Sequence, residues 1–343
     1  MIRWSIADIW NETLLERERE VVARDYIRAS EVGTSMLDRY YKMKGEPFTN
    51  KFDPRILRVF EAGRLYEWLV RIVLMKSGLL RAEQTEVKIE GNHLPVIGHL
   101  DFVAGGKPDW DQSKKILPML EYLQFPTGMM TIAEKLMKQI EEKYPDGLPP
   151  LVYDIKSINS MVFWKHNKNE SLTTAYHHHA LQVYTYMKGL GLKEGRVLYI
   201  SKDDLTLGEV RIEVDKVLDE QWIRDIIEIS NYYTSNTLPE SPKPILWSGK
   251  KYELNWMLTR SNYFTKITGI DQGSRDAWDS TMGKLVNRAN YRVKAILKNK
   301  DTLTASQLQY LCDPYVKQQL EQIRTGKIQI EKEINTDVTD SME

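Results

Sequence analysis

Only one cysteine, Cys312, occurs in the 343 residues. An intrachain disulfide is thereby excluded, and so is any centre that needs several thiolates, such as a zinc ribbon or a cysteine-ligated iron–sulfur cluster. A metal in this protein would have to sit on oxygen and nitrogen ligands. An excess of charge is missing too: 48 Lys and Arg balance 48 Asp and Glu, so gross electrostatics point neither to nucleic acid nor to a membrane surface. No apolar stretch reaches the roughly 18 to 20 residues that cross a bilayer; the longest candidate, Trp68 to Met75, is interrupted by Arg71. The first residues lack an unbroken apolar run followed by small side chains, so the expectation is a cytoplasmic protein with no membrane partner. No internal repeat of roughly 20 to 50 residues is visible, which argues against solenoids and propellers. The end of the chain is poor in large apolar groups: residues 331–343 carry five acids against one lysine, the composition of a disordered acidic tail.

What is present is the composition of a globular chain, with 42% hydrophobic and 28% charged residues and a mean hydropathy of −0.47. Apolar spacing predicts helices over 8–29 and 31–44. Asp53 before Pro54 has the form of an N-cap followed by a first helical residue, and Gly78 closes the long apolar-periodic segment between them. Residues 83–90 and 95–103, joined by Gly91-Asn92, read as a hairpin, and 151–157 as a third strand. A helix over 172–190, strands at 196–201 and 209–214 and a helix over 215–235 follow. Pro239, Pro242 and Pro244 mark a linker, and 272–298 and 304–325 read as two more helices. The expectation is an α/β protein: an N-terminal helical segment (1–52), a core (53–235) and a C-terminal helical region (236–330).

In Leu151-Val-Tyr-Asp-Ile-Lys-Ser157, Asp154 and Lys156 share one strand face, because side chains alternate with period two. In Gly98-His-Leu-Asp-Phe102, Asp101 stands among apolar neighbours at a strand end, where an unpaired carboxylate is costly. Carboxylates gathered in one place repel one another when ionised, and a hard divalent cation relieves this with oxygen ligands. Such an ion, Mg²⁺ or Mn²⁺, polarises phosphoryl oxygens and acidifies bound water, and a lysine beside it can orient or activate that water or offset charge developing on the phosphorane.

These residues resemble the PD-(D/E)xK nuclease superfamily, and within it the RecB-like branch that includes lambda-type exonucleases. The match runs over roughly residues 30–215. Gly63-Arg-Leu-Tyr-Glu67 corresponds to the acid four residues after a glycine on the first core helix. Gly98 to Asp101 matches the Gly-x-x-Asp strand, and Asp154-Ile155-Lys156 the (Asp/Glu)-x-Lys strand. Gln182 and Tyr186 supply the Gln-x-x-x-Tyr mark of the branch, one helical turn apart. Any one of these patterns arises by chance; four in the right order are specific. The resemblance implies a restriction-endonuclease-like core, a central mixed sheet flanked by helices. It also implies metal binding by Glu67, Asp101, Asp154 and the backbone carbonyl of Ile155, a catalytic Lys156, and supporting roles for Gln182 and Tyr186. The implied reaction is hydrolysis of DNA phosphodiesters to a 5′-phosphate and a 3′-hydroxyl. Many members of the branch hold an iron–sulfur cluster, but here the expected thiol positions, near Ser35 to Leu37 and at Leu258, Ser261 and Ile267, hold other residues. Asp101 and Asp154 lie 53 residues apart, so an insertion of about 40 residues, 107–149, replaces a short connection.

Each motif also has an ordinary structural reading. Glu67 can pair with Arg71 one turn on, Asp154 and Lys156 can be a surface pair, and Gln182 and Tyr186 can face solvent. His177, His178 and His179 are adjacent on a helix and point about 100° apart, so they do not chelate one ion together. His99 shares the strand parity of Asp101, with a structural role favoured over contact with the site. For DNA binding the best feature is the acid-free stretch 280–300, with Lys284, Arg288 and Arg292 at successive helical turns; Lys165 and Lys168 are a second candidate. The insertion has six lysines against seven acids, so it is no electrostatic grip; its apolar residues Ile132, Leu136 and Ile140 suggest packing on the core or on a protein partner. The sequence therefore reads as a divalent-metal-dependent DNA exonuclease of recombination, repair or phage-like DNA processing. A structure- or site-specific endonuclease and a non-catalytic DNA-binding subunit are the alternatives.

Overall fold

A computed structural model describes residues 5–15, 20–116, 128–161, 163, 174–249, 251–299 and 303–325. The chain divides into two units, one formed by Met1–Glu46 with Phe52–Leu238 and the other by Pro47–Lys51 with Pro239–Glu343.

The first unit is mixed α/β. Its elements are α1 (Ile6–Leu15), β1 (Ile27–Arg28), α2 (Met36–Met43), α3 (Pro54–Lys76), β2 (Leu80–Glu83), β3 (Glu86–Gly91), β4 (His93–His99), β5 (Phe102–Gly106), α4 (Trp110–Lys115), α5 (Gly128–Lys143), β6 (Leu148–Ile158), α6 (His177–Leu190), β7 (Glu194–Ser201), β8 (Leu207–Glu213) and α7 (Lys216–Thr234). The central sheet has the order β2-β5-β6-β7-β8. Only β6 and β7 run parallel in it, with Lys156 opposite Tyr199; the other neighbours are antiparallel. A smaller sheet has the order β1-β4-β3.

Local chemistry explains why α3 forms where it does. Asp53 accepts the backbone N–H of Ile56 at 2.8 Å, and Pro54 takes the first helical position, where no donor is needed. Tyr66, Val70, Leu74 and Met75 of this helix pack on Leu80, Phe102, Ile155 and Ile200 of the central sheet. Glu67 stands between the first two of these anchors. The helix α7 is capped in the same way by Asp215, which accepts the N–H of Leu218.

Three expectations about the elements change. Of the helix expected over 8–29, the described residues form α1 as far as Leu15; residues 20–26 are irregular, and Ile27 pairs with Val96 in a parallel bridge. Pairing and full burial of Ile27 outweigh its helical periodicity. The helix expected over 31–44 begins only at Met36, because Gly33 takes φ +75° and Ser35 accepts the N–H of Asp38 as the cap. The strand expected over 95–103 breaks at Leu100 and Asp101: β4 belongs to the small sheet and β5 to the central one. Asp101 thus sits where the chain passes between sheets.

The excursion between β5 and β6 joins two adjacent antiparallel strands, Phe102 lying opposite Tyr153. In it α5 buries Ala133 and Met137 and half-buries Ile140, while Ile132 and Leu136 are exposed, so of the apolar stripe only Ile140 turns inward. The Trp110 indole donates to Glu141 at 2.7 Å and ties α4 to α5.

An ion pair fastens α2 to α7. Arg39 is wholly buried, and its two terminal nitrogens lie 2.7 Å from the two carboxylate oxygens of Asp225. Near it, Glu31 pairs with Arg24 and lies 3.6 Å from Lys42.

The second unit contains β9 (Ile245–Trp247), β10 (Tyr252–Leu254) and helices α8 (Trp256–Thr259), α9 (Phe264–Thr268), α10 (Arg275–Asn299) and α11 (Ala305–Arg324). Its core joins Trp278, Met282, Leu285, Ala289 and Val293 of α10 with Leu308, Cys312 and Val316 of α11. Leu258 and Phe264 pack into the same core, and Ser261 is buried nearby. Among the described residues no helix is long and apolar enough to cross a membrane.

Candidate active site

Asp154 lies in the middle of β6 and has no exposed surface. By alternation Lys156 shares its face, while Ile155 turns the other way into the cluster beneath α3. The Lys156 ammonium lies 2.9 Å from Oδ1 of Asp154 and 2.8 Å from Oδ2. Asp101 reaches the same strand by another route, its Oδ2 accepting the backbone N–H of Ile155 at 2.7 Å. The two carboxylates therefore flank Ile155, one as its sequence neighbour and one as its hydrogen-bond acceptor.

The charges act on one another. Burial, and then the charge of Asp154, push the Asp101 pKa up to about 8, against the opposing pull of Lys156 and of the Ile155 N–H. Burial also raises Asp154, although Lys156 counters it. Burial works against the charge on Lys156, yet Asp154, Asp101 and Glu67 outweigh it and hold the pKa above the ordinary lysine value. Glu67, half-buried on α3, is raised by burial and by Asp154 and lowered by Lys156 and Arg64. All four groups lie in one electrostatic field.

Glu67 is not the partner of Arg71, which pairs instead with Glu83, Nε to Oε2 at 2.5 Å. The donor chemistry suits a hard cation, since every candidate ligand is an oxygen and Oδ2 of Asp154 is buried without an aligned hydrogen-bond donor. Among the described residues, however, no three Asp, Glu, His or Cys side chains stand close enough together to hold an ion. In this arrangement the Lys156 ammonium neutralises Asp154.

Gln182 and Tyr186 are both buried on α6, not solvent-facing. The Gln182 amide donates to the Tyr186 hydroxyl at 3.1 Å, and that hydroxyl donates to the carbonyl of His99 at 2.8 Å. The chain of bonds ends two residues before Asp101. The His99 ring itself is exposed and lies 3.9 Å from Glu86.

Two histidines of α6, His178 and His179, also lie in the field of Lys156. Burial first, and then the Lys156 charge and a neighbouring histidine, lower His178 to about 4 and His179 to about 2, so both rings are neutral near pH 7. Their centroids are 4.1 Å apart, and His179 Nδ1 is 2.9 Å from the hydroxyl of Tyr199. Tyr199 also accepts the N–H of Tyr176 at 3.0 Å. The spacing of His178 and Gln182, one turn apart, was a usable signal; nothing in the sequence marks Tyr199 as the residue opposite Lys156.

Of the candidate DNA contacts, Lys284, Arg288 and Arg292 are exposed on α10 of the second unit. The Arg292 guanidinium lies over the Tyr315 ring, 5.0 Å from its centroid. Lys165 and Lys168 lie outside the described residues, as does the 331–343 tail.

No family model matches the chain. No curated protein matches it in sequence either. Among solved structures it is similar to SSO0001, at 13% identity over 76% of this chain and 95% of that one, with a TM-score of 0.43. It is also similar to the alkaline exonuclease LHK-Exo from Laribacter hongkongensis, at 12% identity over 67% and 93% of the two chains, with a TM-score of 0.38. The structure of LHK-Exo in complex with dAMP gives 11% identity and a TM-score of 0.36. At these values the likenesses carry no weight of their own, and the site is argued from the chain's own geometry.

Proposed function

We propose that this chain is a divalent-metal-dependent DNA nuclease of the PD-(D/E)xK type, on the RecB-like branch and without an iron–sulfur cluster. The observation that carries the reading is the shared attachment of Asp101 and Asp154 to one stretch of β6, with Lys156 on the same strand and Glu67 within their field. A purely structural ion pair would need Lys156 and one acid. Here one ammonium is shared among three carboxyl groups, Asp154 fully buried and Asp101 and Glu67 partly so, an excess of acid that costs stability.

Glu67, Asp101, Asp154 and the carbonyl of Ile155 are the oxygens that would hold Mg²⁺ or Mn²⁺ on drawing closer than they stand here; the ion when bound would polarise a phosphoryl oxygen and acidify a coordinated water. Lys156, with its raised pKa, remains an ammonium near neutral pH. As an ammonium it would donate hydrogen bonds, orient the attacking water and offset charge developing on the phosphorane. Ile155 fixes the Asp101 carboxylate through its N–H. Gln182 and Tyr186 hold the backbone just before Asp101 and keep the two acids in register.

Exonucleolytic action in DNA recombination, repair or phage-like processing is the form of this activity that we favour. End-labelled linear DNA and labelled circular DNA, each incubated with Mg²⁺, with Mn²⁺ and with EDTA, test it. Metal-dependent loss of the linear substrate alone is the expected result. Cleavage of the circle would make the enzyme an endonuclease, and no cleavage with either metal would reject the nuclease reading.

A further inference from the structure

The solvent face of α10 is built unlike an ordinary charged helix surface. Its opposite side buries Met282, Leu285, Ala289 and Val293 in the core of the second unit. At 100° per residue, those positions leave Lys284, Arg288, Tyr291, Lys294 and Lys298 on the outer side, and all five are exposed. Residues 280–299 contain no acid, so over this stretch the charge along the face is of one sign, with Asp276 nearer the start of the helix. Tyr291 stands near the middle of it, three residues after Arg288 and seven from both Lys284 and Lys298. Its side chain is 77% exposed, so it contributes almost nothing to the core. Arg292, at the edge of the face, is occupied by the Tyr315 ring.

We infer that this face binds single-stranded DNA, with Lys284, Arg288 and Lys298 following the phosphates and Tyr291 stacking on an unpaired base. Cations alone would serve a duplex equally well, since backbone contacts do not distinguish the two. The exposed ring decides the occupant. Aromatic platforms among basic residues bind strands whose bases are free to stack, and a paired base offers its face only to its neighbours in the helix. The proposal rests on the nuclease reading only in expecting a nucleic acid as partner.

Fluorescence anisotropy of the full chain in EDTA, with labelled oligo-dT and a labelled duplex, tests it without cleavage. Tyr291→Ala should weaken oligo-dT binding roughly tenfold, the loss of one stacked base, and leave duplex binding nearly unchanged. Tyr291→Trp should retain wild-type affinity. Replacing Lys284, Arg288 and Lys298 by glutamine should lower the salt slope on oligo-dT by roughly two units, about 0.7 for each lost phosphate contact. Because these side chains are exposed, thermal melting should be unchanged. Unchanged oligo-dT affinity in Tyr291→Ala, or an equal loss on oligo-dT and duplex, would overturn the proposal. So would wild-type binding to phosphatidylserine vesicles with no binding to oligo-dT. A chain that binds oligo-dT through Tyr291 yet cleaves no DNA would refute the nuclease reading and keep this one; cleavage with Tyr291 irrelevant to binding would do the reverse.

Discussion

The Tyr186 hydroxyl donates to the His99 carbonyl at 2.8 Å, and this bond joins α6 to the last residue of β4. Gly98 allows the approach, because a Cβ there would come within 2.9 Å of the Tyr186 ring and 2.4 Å of the Ala29 Cβ. Two motifs far apart in sequence, the glycine before Asp101 and the tyrosine after Gln182, are thus one packing contact.

Tyr186→Phe removes that donor and leaves the Gln182 amide without its acceptor. It should destabilise the protein by about 1–3 kcal/mol, measured by urea denaturation, and lower kcat more than it raises KM. Gly98→Ala should cost more stability than Tyr186→Phe, since Ala29 and Tyr186 must both move. Wild-type stability in both variants would remove the contact from the account of the site.

Asp154→Asn and Lys156→Met should each reduce cleavage by at least about a hundredfold, the scale of losing a group that meets transition-state charge. Their effects on folding should differ. The Asp154→Asn variant keeps Lys156 in the field of Asp101 and Glu67, whereas Lys156→Met leaves the buried Asp154 without its cation. Melting curves should therefore place Lys156→Met below Asp154→Asn, and full activity in both variants would reject the assignment.

Asp101 predicts a pH dependence in the metal-free protein. Its pKa is raised to about 8 in the fold against roughly 3.9 in an unfolded chain, so the folded state binds the extra proton. The contribution to stability is fully present below about pH 4 and is lost as pH rises through about 8. In EDTA the Tm should fall between about pH 5 and about pH 9 by an amount that Asp101→Asn removes. Identical pH profiles for the two proteins would show that Asp101 is not held protonated.

Arg39 and Asp225 should matter for folding and not for chemistry. Arg39→Met strands the Asp225 carboxylate beside the Gly33 N–H, which donates to it at 3.2 Å, and should cost about 3–5 kcal/mol. The double variant Arg39→Met, Asp225→Leu should recover most of that loss, because replacing both charges leaves no buried ion unpaired. Chemical denaturation of the two variants provides the comparison.

Short-range chemistry made much of this protein legible in its sequence. Asp53 and Pro54 start α3, the alternation along 151–157 puts Asp154 and Lys156 on one face, and the spacing of Gln182 and Tyr186 puts them on one side of α6. These are contacts within a turn or a strand, and local geometry determines them. The tertiary structure decided what depends on distant partners. Ile27 leaves its helical pattern to pair with Val96, and Glu83 takes Arg71. The excursion after β5 buries Ala133 and Met137 in place of its more apolar neighbours. Asp101 meets the N–H of Ile155 because the chain breaks between two sheets at Leu100. None of these could be read from periodicity, since each is settled by burial and hydrogen bonding between segments that only folding brings together.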